Sequence, residues 1–362
     1  MSSSVTDSAF EASIAEHVTL APFTTLGIGG PARYFAEATS TTDLLNGIEW
    51  ARQRDLPLFV LGGGSNVVVS DEGFRGLVLR VQLRGIETRA DGDRVIVEAR
   101  AGEDWDSLVS FCVNKGLAGI ECLSGIPGLV GATPVQNVGA YGQEISETVV
   151  SVEAVDLTTK NLVAISGEAC GFAYRSSRFK AADRGRFVVT KVSYRLAPNG
   201  RASVRYPELK ACLKNNGREN TDAASIKEVR AAVLAIRKRK AMVIDPSDPD
   251  SRSVGSFFVN PVTTRETLER VRSVDTTLPG IPNFPAGEEM VKLSAAWLIE
   301  QAGMRRGYVR GGVGISKKHT LAIINLGTGT AREVLALAEE MKSRVRDKFG
   351  IELVPEPVFV GF

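Results

Sequence analysis

Three consecutive glycines, Gly62-Gly63-Gly64, leave directly from a short apolar run, Leu58-Phe59-Val60-Leu61, and that junction limits what the surrounding chain can become. An apolar run of this length after Pro57 reads as a buried strand. Just upstream, Leu44, Leu45, Ile48 and Ala51 recur at helical spacing within residues 41–53, giving a start of βα type. Without Cβ atoms the backbone can close around an anion, and convergent N–H groups make a nest for a phosphate or pyrophosphate. Taken alone, three glycines serve a loose turn as often as a phosphate cradle. A second stretch, Ser124-Gly125-Ile126-Pro127-Gly128-Leu129-Val130-Gly131-Ala132, runs on to Gln136-Asn137-Val138-Gly139-Ala140-Tyr141-Gly142. Its density of small residues reads as backbone against which something flat or charged packs, or equally as a tight crossover between domains.

The chain has 362 residues, too many for one ordinary core, so two or three domains meeting at clefts are expected. Arg94 to Ala99 alternates as a strand, and the following helix carries Trp105, Leu108, Val109, Cys112 and Val113 on one face before Gly116 ends it. Strands are expected at 149–156, 187–196 and 202–205, as in a mixed α+β domain. Ser225-Ile226-Lys227-Glu228 is a capping box opening a helix with Ile226, Val229, Val233 and Ile236 inward and the basic residues Arg230, Arg237, Lys238, Arg239 and Lys240 toward its end. Residues 245–250 read as loop. A further helix is expected from Glu288 to Gly303, then a strand at 321–325 and a long helix opened by Thr330-x-x-Glu333 and closed by Gly350. Gly327-Thr328-Gly329-Thr330-Ala331-Arg332 imitates a dinucleotide fingerprint, but Arg332 stands at the third glycine position, so it reads as a turn and N-cap.

A composition of 43% hydrophobic and 24% charged residues with a net charge of +2 describes a soluble globular protein and gives no electrostatic argument for nucleic acid. Four scattered cysteines, Cys112, Cys122, Cys170 and Cys212, form no Cys-x-x-Cys pair, which suits a reducing cytoplasm and indicates neither a disulfide framework nor a zinc site. No apolar run of membrane-spanning length and no export signal is visible, so a cytoplasmic protein with no membrane insertion is expected. The first dozen residues, small and polar, are expected to fray.

Val254-Gly255-Ser256-Phe257-Phe258-Val259-Asn260-Pro261 places a serine in a chain with only two histidines, His17 and His319. A nucleophilic serine needs a base beside it, and neither histidine lies in a Gly-x-Ser-x-Gly setting. If Ser256 does chemistry, it gives a proton away, and only a strongly basic carbon such as an enolate could take it. By itself the motif reads as a Gly-Ser turn feeding a buried aromatic strand.

Phe172-Ala173-Tyr174-Arg175-Ser176-Ser177-Arg178-Phe179-Lys180, the Ser256 motif and Val354-Pro355-Glu356-Pro357-Val358-Phe359 add a cation, a proton donor and a carboxyl group. With the order of the glycine loops, from Thr25-Leu26-Gly27-Ile28-Gly29-Gly30-Pro31-Ala32 to Glu356, the chain resembles the bacterial UDP-N-acetylenolpyruvoylglucosamine reductase family of peptidoglycan precursor synthesis. Arg205-Tyr206-Pro207-Glu208-Leu209 resembles the substrate-covering loop of that family's tyrosine-bearing subtype, which makes Tyr206 a lid residue.

The resemblance implies an α+β fold: a two-part FAD-binding module of the FAD-linked oxidase (PCMH) type, over residues 18–83 and 84–224, and a substrate-binding α+β domain over 225–352. Residues 353–362 would pack near the first part. It implies non-covalent FAD reduced by NADPH, UDP-N-acetylglucosamine enolpyruvate as substrate, and a monomer. Catalytic roles fall on Arg175, Ser256 and Glu356. Hydride addition to the enolpyruvyl terminal carbon drives negative charge onto the carboxylate. Arg175 would meet that charge, a protonated Glu356 would donate a hydrogen bond, and Ser256 would give the proton. Cofactor contacts fall on Gly62, Gly63, Gly64, Ser65, Asn66, Gly125, Ile126, Pro127, Gly128, Asn137 and Tyr141. Substrate contacts fall on Tyr174, Tyr206, Arg237, Lys240, Asn260, Lys292 and His319, with Arg237 and Lys240 meeting a diphosphate. No metal is implied.

One departure stands out: the family's end often reads Glu-Pro-Glu-Val-Arg, whereas this chain has Val354-Pro355-Glu356-Pro357-Val358, without the arginine after the carboxylate. Glu352 is the fallback acid. The rival among enzymes is a sugar or lactone oxidase with a histidyl-linked flavin, but no histidine adjoins residues 62–66. A silent nucleotide-sugar sensor is the rival from another class.

Overall fold

The computed structural model describes residues 10–362, so most of the segment expected to fray lies outside the described residues. Phe10, at its edge, corrects that expectation: it is 5% exposed and joins the first core, because its ring finds the flank of helix Thr41–Gln53 at Gly47. The chain forms two compact units. The first comprises residues up to Val18, Ala32–Gly64 and Arg75–Val243; the second comprises Thr19–Pro31, Ser65–Phe74 and Ile244–Phe362. Among the described residues no helix is long and apolar enough to cross a membrane.

In the first unit, strand Leu58–Leu61 pairs in parallel with Phe74–Val81, Leu58 opposite Leu77. Helix Thr41–Gln53 starts at a reciprocal capping box in which Ser40 and Asp43 satisfy each other's backbone, and it buries Leu44, Ile48 and Ala51. A second sheet runs in the order Leu162–Ser166, Val149–Asp156, Phe187–Pro198, Arg94–Arg100, Ile86–Asp91, all antiparallel neighbours. Helix Trp105–Asn114 buries the expected face, Trp105, Leu108, Val109, Cys112 and Val113. Both sheets contribute to one continuous apolar cluster, from Phe10 to Ile226. Helix Ile226–Arg239, where the sequence suggests a third domain, belongs by contact density to this unit and packs Val229, Val233 and Ile236 on Leu209 and Leu213 of helix Pro207–Asn215.

Residues 202–205 are not a strand. Their backbone is taken by side chains instead: Ser203 N–H donates to Glu121 Oε1 at 2.8 Å, and the Cys122 thiol donates to Ser203 O at 3.0 Å. With those groups engaged, no ladder partner can use them.

The second unit is built around helix Ala331–Phe349, capped by the Thr330–Glu333 box and ended by Gly350 at φ 65°. The imitation fingerprint is a turn: Asn325 Oδ1 accepts from the N–H groups of Gly327 and Gly329, and the Asp71 carboxylate accepts from Ala331 and Arg332 at 2.7 and 3.0 Å. The carboxylate satisfies the helix's first donors and complements its dipole. The helix expected from Glu288 is a correction: Met290–Leu293 is a strand, pairing with Val262–Thr264 and Asn283–Pro285, and only Ala295–Gln301 is helical. Ser294 marks the switch, its hydroxyl capping Trp297 N–H. Met290, Val291 and Leu293 fit either period in so short a run, and the flanking strands select the extended one. The C-terminal strand Val358–Val360 pairs in parallel with Val67–Val69.

Candidate active site

The two glycine stretches lie backbone against backbone. A Cβ added to Gly63 would stand 2.9 Å from Gly128 Cα, so only hydrogen fits there, and Gly128 itself has φ 124°. Gly62, Gly63, Ile126, Pro127 and Gly128 are half-exposed beside the fully buried Leu61 and Ser124. The loop at 124–128 is held rigidly. Gly125, at φ 71°, donates its N–H to Asp106 Oδ1 at 2.6 Å and accepts from Arg237 Nε at 3.0 Å. Asp106 in turn takes a two-pronged bond from Arg230, at 2.6 and 2.8 Å. Burial raises the Asp106 pKa, but the Arg230 fork and the Gly125 N–H outweigh it, leaving the carboxyl below its ordinary value. Sequence reasoning missed Asp106 and Arg230, since nothing in one dimension joins residues 124 positions apart.

Tyr174 and Arg175 occupy the tip of a tight turn in which Ala173 and Ser176 exchange both backbone hydrogen bonds. Arg175 sits at φ 54°, and its guanidinium donates to Gly139 O at 2.6 Å and Asn137 O at 3.5 Å. Asn137, buried and at φ 47°, spends its side chain on protein: Nδ2 donates to Glu144 Oε2 and Ala173 O, and Oδ1 accepts from Ser146 N–H. Its side chain therefore fixes the arginine-bearing turn. Tyr141 is also left-handed, at φ 51°, so three non-glycine residues in a sparsely populated backbone region cluster here, as they do where function over-determines the chain.

Tyr141 meets Tyr206 edge to face, centroids 5.5 Å apart, and burial pushes its phenol up to about 12, with Arg237 as hydrogen-bond partner. Tyr206 precedes helix Pro207–Asn215, and burial raises its pKa too. Arg237 is 7% exposed, with its remaining donor bond to Met242 O at 2.7 Å, so it is a strut behind the 125 loop rather than an outward cation. Lys240 pairs with Glu208 at 2.6 Å, both partners half-exposed.

In the second unit, the stretch bearing Ser256 lies antiparallel to the C-terminal stretch bearing Glu356. Glu356 N–H donates to Phe257 O at 2.8 Å, Val259 N–H donates to Val354 O at 3.1 Å, and Phe258 bridges Pro355. Two residues 100 positions apart in sequence thus become neighbours on paired backbone. Asn66 Nδ2 donates to Glu356 O at 3.3 Å, tying the end of the first glycine loop to the same point; Ser65 lies beside it, half-exposed. Glu352, the fallback acid, is exposed and pairs with Lys342 and Arg346 at 3.3 and 3.6 Å, which accounts for it as a surface charge.

One reading from the sequence is overturned here. Ser256 has a histidine beside it: Oγ and His319 Nε2 are 3.1 Å apart. The hairpin joining strands Val313–Ile315 and Ile323–Asn325 carries His319 back to the serine, and Phe257 N–H clamps it by donating to Leu321 O at 2.7 Å. Asn260 Oδ1 caps helix Ala295–Gln301 by accepting Ala295 N–H at 3.0 Å. Lys292, on strand Met290–Leu293, lies 5.9 Å from the centre of the Phe284 ring. The predicted residues are thus divided: Gly62 to Gly64, Gly125 to Gly128, Asn137, Tyr141, Tyr174, Arg175, Tyr206, Arg237 and Lys240 in the first unit, and Ser65, Asn66, Ser256, Asn260, Lys292, His319 and Glu356 in the second.

Comparison with known proteins decides the family. Residues 246–360 match the model of the UDP-N-acetylenolpyruvoylglucosamine reductase C-terminal domain, and residues 32–164 match an FAD binding domain. The reductase of that name from Thermobifida fusca is 48% identical over 96% of this chain and 98% of its own length. The chain belongs to the UDP-N-acetylenolpyruvoylglucosamine reductase family. The Saccharopolyspora erythraea reductase is 46% identical over 94% of each chain. The solved reductase from Thermus caldophilus, at 27% identity, superposes with a TM-score of 0.63 over 95% of this chain and 98% of its own. Membership makes this chain a flavin-dependent oxidoreductase. The FAD-binding match includes Gly62 to Gly64 and Gly125 to Gly128, the loops that meet with no room for a Cβ, a fit for a cofactor whose pyrophosphate packs on bare backbone.

Proposed function

We propose that this chain reduces the enolpyruvyl ether of UDP-N-acetylglucosamine enolpyruvate to the corresponding lactyl ether, UDP-N-acetylmuramate, with FAD as carrier and NADPH as reductant. The observation that carries the reading is near-full-length relatedness at 48% identity to a reductase of that name. When bound and reduced by NADPH, FAD would supply a hydride to the terminal carbon of the enolpyruvyl group.

The chain's own residues supply what remains. Gly62 to Asn66, Gly125 to Gly128, Asn137 and Tyr141 are assigned to the cofactor, and the Asp106–Arg230 fork and Arg237 hold the loop at 124–128 in place. Arg175 stabilises the charge that develops on the substrate carboxylate. Its planar fork, steadied by the Gly139 carbonyl, can meet both oxygens of a carboxylate. Ser256 delivers a proton to the carbon that becomes basic once the hydride has been added. Glu356, whose N–H bonds the carbonyl of Phe257 next to the serine, would in its protonated form donate a hydrogen bond to the same developing charge. Tyr174, Tyr206, Lys240, Asn260, Lys292 and His319 are assigned to the substrate side. Tyr206 closes against Tyr141, the contact that supports its reading as a lid of the tyrosine-bearing subtype. Arg237 is reassigned from the diphosphate to the cofactor loop because it is buried and bonded there.

The test is an anaerobic cycle on purified, FAD-loaded protein. NADPH is expected to bleach the flavin, and the colour to return only on addition of UDP-N-acetylglucosamine enolpyruvate, with UDP-N-acetylmuramate formed in equal amount. A reduced flavin that this substrate leaves bleached, while air restores it, overturns the reading.

A further inference from the structure

The contact between Ser256 and His319 is only the end of a chain of bonds running back into the interior. His319 lies in the hairpin loop 316–322, between strands Val313–Ile315 and Ile323–Asn325. At the start of that loop Ser316 is fully buried. Its hydroxyl donates to Asp250 Oδ2 at 2.8 Å and accepts from the N–H groups of Lys318 at 3.0 Å and His319 at 3.2 Å. The same Asp250 oxygen accepts Lys317 N–H at 2.8 Å. Asp250 is 7% exposed and sits in the short helical turn Pro249–Ser251, anchored beside the hairpin where Ser253 bridges Ile324 and Asn325 N–H donates to Arg252 O. A buried carboxylate and a buried hydroxyl are thus committed to a three-residue turn whose last member touches Ser256. Local turns seldom need a buried charge. A loop that must present an imidazole within tenths of an ångström does.

We infer that Asp250 and Ser316 are positioning residues that act through His319 on Ser256: they hold the imidazole so that Nε2–H donates to the serine oxygen. This rests on the function proposed above. A hydroxyl has one hydrogen and can turn it toward either of two acceptors. With Nε2–H occupying a lone pair of Oγ, the serine hydrogen has no acceptor in the ring and is left for the substrate carbon. As the O–H bond breaks and the C–H bond forms, the electron pair stays on oxygen, and the same N–H stabilises the developing alkoxide. The alkoxide then recovers its proton from solvent, and no further oxidant or reductant enters. His319 is therefore a donor to the serine, the reverse of a histidine that takes a serine's proton to make a nucleophile.

Because the chain has only two histidines, the imidazole nitrogens of 15N-labelled full-length protein give two sets of NMR signals, and His17→Asn, at an exposed position, identifies the other. In the unsubstituted protein His319 is expected in the Nε2–H tautomer. Ser316→Ala and Asp250→Ala should each shift it to the averaged tautomers of a free ring. Asp250→Asn, whose amide oxygen can accept both bonds, should keep the original spectrum. In stopped-flow, re-oxidation of reduced flavin by UDP-N-acetylglucosamine enolpyruvate should slow about 10-fold in Ser316→Ala with KM unchanged, while reduction by NADPH is unaffected. An Nδ1–H tautomer in the unsubstituted protein, an unaltered His319 spectrum in Ser316→Ala, or equal slowing of both half-reactions overturns the inference. If the substrate does not re-oxidise the parent flavin, the proposed reaction fails, and the NMR arm still decides the positioning role.

Discussion

Ser256 shows how a residue's chemistry depends on a neighbour the sequence keeps far away. The motif Gly255-Ser256-Phe257-Phe258 contains no base, and His319 arrives from 63 positions downstream. The proton-donor role proposed for Ser256 has a direct consequence. Ser256→Ala should leave flavin reduction by NADPH fast and slow its re-oxidation by substrate by about two orders of magnitude or more, read in separate stopped-flow half-reactions. Arg175→Lys should also depress the second half-reaction, since a point charge cannot reproduce a planar fork held by Gly139 O and cannot keep both oxygens of a carboxylate in register. Unchanged turnover in that variant would remove Arg175 from the reaction. Gly63→Ala tests the proposed cofactor loops: with a Cβ driven to within 2.9 Å of Gly128 Cα, the loops must separate, so flavin affinity, measured by fluorescence titration, should drop and apoprotein stability in urea should fall by about 1–3 kcal/mol.

At the level of elements, caps decided boundaries more sharply than propensities did. Ser40, Ser225 and Thr330 each close a reciprocal box with the acidic residue three positions on, and the helices start where those pairs stand in the sequence. Thr330→Ala should cost about 1 kcal/mol of stability in urea unfolding, moderated by Asp71, which still holds the first donors of that helix. The elements that misled were those whose backbone partners come from elsewhere. Residues 202–205 alternate like a strand but give their hydrogen bonds to Glu121 and Cys122, and Met290–Leu293 has the apolar content of a helix but is claimed by strands on both sides.

For the whole molecule, one carboxylate links stability, pH and the proposed cofactor loop at 124–128. Asp106 binds Arg230 and the Gly125 N–H, and its folded pKa lies below its ordinary value near 4. A carboxyl lowered on folding contributes stability that is complete above the unfolded value and is lost as pH falls through the folded one. Asp106→Asn should therefore be less stable than the parent at neutral pH, with the difference shrinking in acid, as followed by urea midpoints across a pH series. FAD should protect the fold in turn: at a hundredfold excess over its Kd, binding to the native state alone adds about 2.7 kcal/mol, visible as a higher melting temperature.

Read by itself, the sequence suggested the family through the order of its motifs, and it determined the local grammar: where helices are capped and which of their faces are apolar. Those features depend on residues within a few positions of one another, so one dimension contains them. Tertiary structure alone decided which polar groups meet. It set His319 on Ser256, turned Arg237 inward to the Gly125 carbonyl, spent Asn137 on the Arg175 turn, and buried Asp250 under a hairpin. A buried donor or acceptor must find its complement wherever the fold provides one, and that complement can lie anywhere along the chain.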